Sequence, residues 1–290
     1  MEYKCNNSKS NITKKGFDNL SFDCVAIVYN DDVEQSLKVA NYIKEYLSKI
    51  GIVSQICSSD KLLSTASFAI VAGGDGTLLK VARYYASKNV PIFGVNLGRL
   101  GFLAQVNLDG IDSALEKLLN SEYRIEKRMM LSSRLENAIA LNDIVVKGDS
   151  FSRTSKLFLS INDKVVCDYL ADGIIISTPT GSTAYTLSAG GPVVSPELEA
   201  FVVVPICAHT LTARPLVVPA HEKIKITGCD NCNKLKMSAD GQNVIELDFN
   251  SEIVIEKSEL QASLVILDDD LNDFYSILRH KLQWGVGPEC

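Results

Sequence analysis

The fold turns on Phe68-Ala69-Ile70-Val71-Ala72-Gly73-Gly74-Asp75-Gly76-Thr77. An apolar run of strand character stops at two glycines, and an acidic residue, a third glycine and a threonine follow. Leu78-Leu79-Lys80-Val81-Ala82-Arg83-Tyr84-Tyr85-Ala86 then repeats its apolar positions at helical spacing. The segment reads as strand, tight turn, helix. Glycines at 73, 74 and 76 permit left-handed backbone and remove every Cβ that would hold a ligand off the chain. Thr77 is read as the N-cap, leaving the first N–H groups of the helix to face a phosphate. The competing reading is a structural turn that Asp75 caps. No lysine follows as in a Walker loop, and the pattern is not GxGxxG.

Outward from this turn, the first 120 or so residues alternate strand and helix. Cys24 to Tyr29 is a continuous apolar run suited to a buried parallel strand, and a helix over about Val33–Ile50 ends at Gly51. Ile52–Cys57 and Pro91–Asn96 are further strands, and a helix covers about Ile111–Leu119. Such βα units build a doubly wound parallel sheet whose ligands sit at the carboxyl ends of its strands, where Asp75 and Asn96 lie. Beyond Tyr123 strands follow one another: 138–146, 156–161, 173–177, 202–206, 223–227, 253–256 and 263–267. This is a β-sandwich domain. Helical spacing returns over Asp273–Leu282, a segment expected to pack back on the first domain. The expected organisation is therefore a disordered 1–20, a Rossmann-like α/β domain over 21–122, a sandwich over 123–269 and a returning C-terminal helix in 270–290.

The 290 residues carry a formal charge of −6 with 46% hydrophobic and 22% charged residues, a composition able to bury sizeable cores. An acidic balance without a basic cluster argues against a nucleic-acid binder. No apolar run reaches the roughly 18 residues of a membrane span, and the polar start is no signal peptide. The expected setting is the cytoplasm, with no membrane partner. Cys229 and Cys232 could form half a zinc site or a redox pair, but without a second pair they read as a hairpin tip between 223–227 and 235–237.

In the second half, Asp172-Gly173-Ile174-Ile175-Ile176-Ser177-Thr178-Pro179-Thr180-Gly181-Ser182-Thr183-Ala184-Tyr185 runs from an apolar strand into a hydroxyl-rich turn and a short helix from about Thr183. Hydroxyls suit a phosphate or ribose and Tyr185 a base; alternatively, Ser and Thr merely build turns. Asn142-Asp143 interrupts a strand-like run, where ribose hydroxyls or a turn would account for it. His209 is read as structural.

Taken together, GGDGT (73–77), NLGRLGFL (96–103), LND (141–143), DGIIISTPTGSTAYTLSAGGP (172–192), ICAHTLTARPLVVP (206–219), DGQ (240–242) and KLQWG (281–285) resemble the NAD kinase family over about Cys24 to Gly285. TPTGSTAY followed by GGP is the specific part; GGDGT is shared with lipid kinases. The resemblance implies phosphorylation of the adenosine-ribose 2′-hydroxyl of NAD by ATP with Mg²⁺ or another divalent ion, giving NADP. It makes Asp75 the base and brings Gly76 to the dinucleotide. It gives a ribose to Asn142 and Asp143, and the adenine and phosphate side to Thr183, Ala184, Tyr185 and Ser188. Arg153, Asp172 and Gln242 fall at its contact positions. It also implies a homodimer or homotetramer. The chain departs from the family with Asp143 where Glu is usual, and at Leu170 and Ala171. A lipid kinase would want an apolar pocket in place of the hydroxyls, and a non-catalytic dinucleotide sensor has no use for Asp75.

Overall fold

The computed structural model describes residues 20–98, 101–104, 106–149, 154–229, 234–268 and 273–282. The expected disorder of the N-terminus and the contact position Arg153 lie outside these, except that Leu20 is buried and its N–H donates to the Tyr123 hydroxyl at 2.8 Å. The chain divides into two compact units, Met1–Lys127 with Ser263–Cys290, and Arg128–Ala262.

In the first unit the strands Ser54–Ser58, Val25–Tyr29, Phe68–Ala72 and Ile92–Asn96 lie side by side in that order, all parallel. The end of the strand Ile253–Leu267 extends the sheet, with Leu264 opposite Ile92. Every residue of Phe68–Ala72 and of Ile92–Asn96 is buried, which is why these strands read as unbroken apolar runs. Ile43, Leu47 and Leu115 of the helices Glu34–Lys49 and Ile111–Leu119 close over Ile27, Ile70 and Phe93. Each such side chain contributes about 1.5–3 kcal/mol relative to exposure. The first helix stops at Gly51, whose φ of 77° lets the Ile52 N–H reach the Leu47 carbonyl and its own N–H the Ser48 carbonyl.

The second unit is two antiparallel sheets. One contains Lys164–Ala171, Ser155–Ile161, Ile224–Gly228 and the start of Ile253–Leu267. The other orders Leu216–Pro219, Ala200–Ile206, Gly173–Ser177, Asp143–Gly148, Lys234–Ala239 and Gln242–Asp248. Ile144, Val146, Ile174, Ile176, Phe201 and Val203 of the six-stranded sheet share a core with Leu157, Leu159, Ile224 and Ile226 of the other. The alternate residues Val145, Ile175, Val202 and Val204 point the other way and are covered with Val194 and Ala189. The segment after Ser177 therefore lies on the outer face, and a strand that alternation would mark as half-exposed is apolar throughout.

Two expectations are corrected, and one strand is new. The run 138–146 is two strands, Ala138–Ala140 and Asp143–Gly148, broken at Leu141-Asn142. Cys229 does not begin a hairpin tip. Ile224–Gly228 pairs with Ser155–Ile161, whereas Lys234–Ala239 pairs with Asp143–Gly148. The two strands face the same core from different sheets, so the chain crosses between sheets there; Cys232 lies outside the described residues. Lys164–Ala171 is an additional edge strand, hidden from sequence reading because Val165 and Val166 are both exposed.

Candidate active site

The helix after the Gly-rich turn begins at Asp75 and runs to Ala86. Gly74, extended at φ −85° and ψ −179°, is its N-cap, and Thr77 sits inside the first turn instead of capping it. Thr77 is buried, and its Oγ1 accepts from Asn30 Nδ2 at 3.2 Å. None of Gly73, Gly74 and Gly76 takes a left-handed φ. Their value is space. A Cβ on Gly73 would stand 2.8 Å from that of Thr77, while one on Gly74 or Gly76 would meet nothing within 4 Å. Gly74 and Gly76 leave room beside the backbone at a helix start, where an anion is favoured.

Asp75 is half-buried at this point. Its Oδ2 accepts the Phe102 N–H at 2.8 Å, and its Oδ1 the N–H groups of Leu103 and Ala104 at 3.3 Å each. Gly101 makes that grip possible, since a Cβ there would fall 1.8 Å from Oδ1. Asn96 ends the neighbouring strand, next to Val95, whose carbonyl accepts the Gly73 N–H at 2.9 Å. Its Oδ1 accepts from Gly98 at 3.2 Å, but its buried Nδ2 has no partner among the described residues.

In the second unit Asn142 and Asp143 sit where Asp143 opposes Ser177 across the sheet. Asp240 organises them. It forms, with Gly241, a two-residue turn with φ of 52° and 66° joining Lys234–Ala239 to Gln242–Asp248. Its carboxylate accepts the N–H groups of Leu141, Asn142 and Asp143 at 3.0, 2.7 and 3.2 Å. The Thr178 hydroxyl donates to the Leu141 carbonyl at 2.6 Å, and Ser177 Oγ to that of Asn142 at 3.1 Å. Gly181 presses so close that a Cβ would stand 2.2 Å from the Asn142 carbonyl oxygen. Ser182 likewise spends its hydroxyl on Pro179 and Val194. Ser177, Thr178 and Ser182 thus build the turn, as the bland reading of this stretch has it.

The short helix is displaced from the expected start: Thr180–Thr183 is a 3-10 turn and Tyr185–Ser188 one helical turn. Tyr185 is 38% exposed, and Lys147 Nζ donates to its hydroxyl at 3.0 Å. Ser188 and Asp172 are exposed and Thr183, Ala184 and Gln242 half-buried. Asp172 is not beside Asp143. It precedes Gly173, which opposes Lys147, so the two acids flank opposite ends of about 13 Å of strand.

Two electrical features mark this cluster. Asp143 is 5% exposed and its carboxylate makes no hydrogen bond among the described residues. Burial, and then the nearby charge of Asp240, push its carboxyl up to about 7. Four buried side-chain atoms among the described residues lack partners, and three, Asn96 Nδ2, Asn142 Oδ1 and Thr186 Oγ1, belong to these two clusters. An orphan of this kind costs about 1–3 kcal/mol, so its concentration here points to a ligand that completes it.

The segments that carry the two clusters match known families. Residues 59–123 match the ATP-NAD kinase N-terminal domain and residues 141–267 the ATP-NAD kinase C-terminal domain. The chain belongs to the NAD kinase family. The NAD kinase of Heliobacterium modesticaldum is 40% identical over 281 residues, 90% of this chain and 99% of that protein. That of Thermoanaerobacter sp. is 41% identical over 249 residues, 83% and 87% of the two chains. Among solved structures, an NAD kinase from Archaeoglobus fulgidus in complex with ATP superposes with a TM-score of 0.74 at 29% identity, covering 88% of this chain and 97% of that one. Yeast NADH kinase complexed with NADH, at 22% identity and a TM-score of 0.76, shares the fold over 91% of this chain and 89% of its own.

Asp240, Gly101 and the N–H groups of 102–104 are site features that sequence reading missed. The Asp-Gly dipeptide signals the turn at Asp240, but nothing local reveals what its carboxylate holds.

Proposed function

We propose that this family member transfers the γ-phosphoryl group of ATP to the 2′-hydroxyl of the adenosine ribose of NAD, giving NADP and ADP, with Asp75 taking the hydroxyl proton. The observation that carries this reading is a carboxylate held at a helix start where Gly74 and Gly76 leave room for a ligand against the backbone. A secondary alcohol is a weak nucleophile at neutral pH, so a fixed acceptor for its proton is worth decades of rate. The Gly73–Gly76 backbone receives the phosphates of the donor, with Asn96 beside it. Asn142 and Asp143 hold a ribose, with Thr183, Ala184, Tyr185 and Ser188 along the nucleotide and Gln242, Asp172 and Arg153 as outer contacts. The orphan atoms of Asn142 and Thr186 support binding there.

No cluster of three His, Cys, Asp or Glu side chains occurs among the described residues. Mg²⁺ needs few protein ligands when phosphates and water supply the rest, so the residues fit an ion carried in on ATP. When bound it offsets the charge of the transferred group. Among the described residues no helix is long and apolar enough to cross a membrane, and the orphan polar atoms of Asn142 and Thr186 favour a polar acceptor over a lipid. ATP-driven conversion of NAD exceeding that of any lipid in a labelled-ATP assay is the expected result; preference for a lipid would overturn the reading.

Gly74→Ala tests the cradle cleanly. The backbone there suits alanine and the methyl meets no protein atom within 4 Å, so melting should stay within about a degree of the parent. KM for ATP should rise at least about tenfold, as expected when a phosphate is held off the backbone amides. An unchanged KM would move the phosphates elsewhere. We also infer a homodimer or homotetramer, so light scattering should return at least twice the chain mass of 31.7 kDa; an active monomer at micromolar concentration would contradict it.

A further inference from the structure

The Gly-rich turn contains no lysine, and the nearest along its helix, Lys80, is paired with Asp60. Backbone amides and a helix dipole supply only part of the positive charge that a migrating phosphoryl group calls for. The other end of the chain brings a cation to the same place. Asp273 starts the helix Phe274–Leu282 by accepting the N–H groups of Tyr275 and Ser276 at 2.8 and 3.0 Å. The inward stripe of that helix is Phe274, Ile277, Leu278 and Lys281, at the i, i+3, i+4, i+7 spacing of an apolar face. Ile277 and Leu278 are buried, while Tyr275, Arg279 and His280 are exposed. A lysine therefore fills the last place of a buried stripe.

Its ammonium lies 4.5 Å from the centre of the Phe102 ring. The N–H of that same Phe102 donates to Asp75 Oδ2 at 2.8 Å. Lys281 and the Asp75 carboxylate attract each other across the turn without closing into an ion pair, and burial of Lys281 disfavours its charge more than that attraction favours it. A half-buried cation over the ring of Phe102, the residue whose N–H holds the base, and with no anion in contact with it among the described residues, is placed to bind an anionic ligand.

We propose that Lys281 contacts a phosphoryl oxygen of the donor bound at Gly73–Thr77 and brings a cation to this turn. The inference rests on the reading of that turn as the phosphate cradle. In the transfer, the ribose 2′-oxygen forms a bond to the γ-phosphorus and passes its proton to Asp75. The bond to the β,γ-bridging oxygen breaks, its electron pair leaving on ADP. Lys281 gains and loses no proton; it offsets charge on the phosphoryl oxygens throughout. A lysine that only covered Phe102 would affect stability alone.

The test is Lys281→Met and Lys281→Arg in the full chain, with Gly74→Ala alongside, reading kcat, KM for each substrate and melting temperature. Lys281→Met keeps the apolar stem over Phe102, so it should fold and lose about a hundredfold in kcat/KM for ATP, with KM for NAD unchanged. Lys281→Arg, which keeps the charge, should recover most of the loss. If Lys281→Met retained normal ATP kinetics while Gly74→Ala lost them, the lysine proposal would fall and the cradle would stand. If neither changed them, both would fall. Should Lys281→Met not fold, calorimetry of inorganic triphosphate binding to Lys281→Gln decides: about tenfold weakening supports the contact, and unaltered affinity overturns it.

Discussion

Asp75→Asn should lower kcat by about two to four decades, the usual worth of a general base. The structure adds a second effect that the kinetics must be separated from. The carboxylate also anchors three N–H groups of residues 102–104, and an amide offers a single acceptor oxygen in its place. Its NH₂ group would face donors. The variant should therefore melt earlier, by an amount reflecting about 1–3 kcal/mol. Assayed well below its transition, a variant whose only defect was a loosened turn would regain activity as the folded fraction approached one. One that lacked the proton acceptor would not. A fully folded Asp75→Asn protein with kcat within tenfold of the parent would remove the base from the mechanism. KM for NAD is the further discriminator, since the turn at 101–104 can shift binding while proton transfer acts on kcat.

What could be read beforehand follows from the range over which each signal acts. The parallel strands of the first unit are buried on both faces, so their apolar runs are continuous and visible. Gly51 marks a helix end because its left-handed conformation satisfies carbonyls only a turn away. Thr77 misled because a hydroxyl near a helix start is a common cap, yet the extended residue that precedes this helix is Gly74. The acidic side chain in the first turn reaches instead to backbone 27 residues onward, and no local pattern announces that. The same holds for Asp240, whose target lies 97 to 99 residues back. That the hydroxyls of the second turn build it was one of two readings open in the sequence, but their partners were not legible, because Ser177 and Thr178 donate to the carbonyls of Asn142 and Leu141, which are adjacent only once the sheet has formed. Lys281 was visible as part of a family motif. Its inward position needed the buried stripe of its helix to be seen.

The second large effect concerns Asp143, and it runs in opposite directions for folding and for binding. Asp240 is tied to three N–H groups, whereas the Asp143 carboxylate is buried with no hydrogen bond among the described residues. Burial first, and the neighbouring carboxylate second, raise Asp143 from its ordinary 3.8 to about 7. Between those two values the folded chain keeps a proton that the unfolded chain has released. Stability must then fall as pH rises through that window, with a slope approaching about 1.4 kcal/mol per pH unit, and level off above it. The melting temperature of the ligand-free protein should accordingly decline from pH 5 to pH 7, and Asp143→Asn, an uncharged mimic of the protonated acid, should flatten the decline. Ribose hydroxyls reverse the sign for binding. They donate better to an ionised carboxylate, so KM for NAD should fall from pH 6 to pH 8 in the parent and show no such fall in Asp143→Asn. Asp143→Ala, which leaves the hydroxyls unpaired, should raise KM for NAD by an amount reflecting about 1–3 kcal/mol, with KM for ATP little changed. If the decline in melting survived in Asp143→Asn, another group would own the titration. If KM for NAD ignored both substitutions, Asp143 would be a turn residue and the ribose would lie elsewhere.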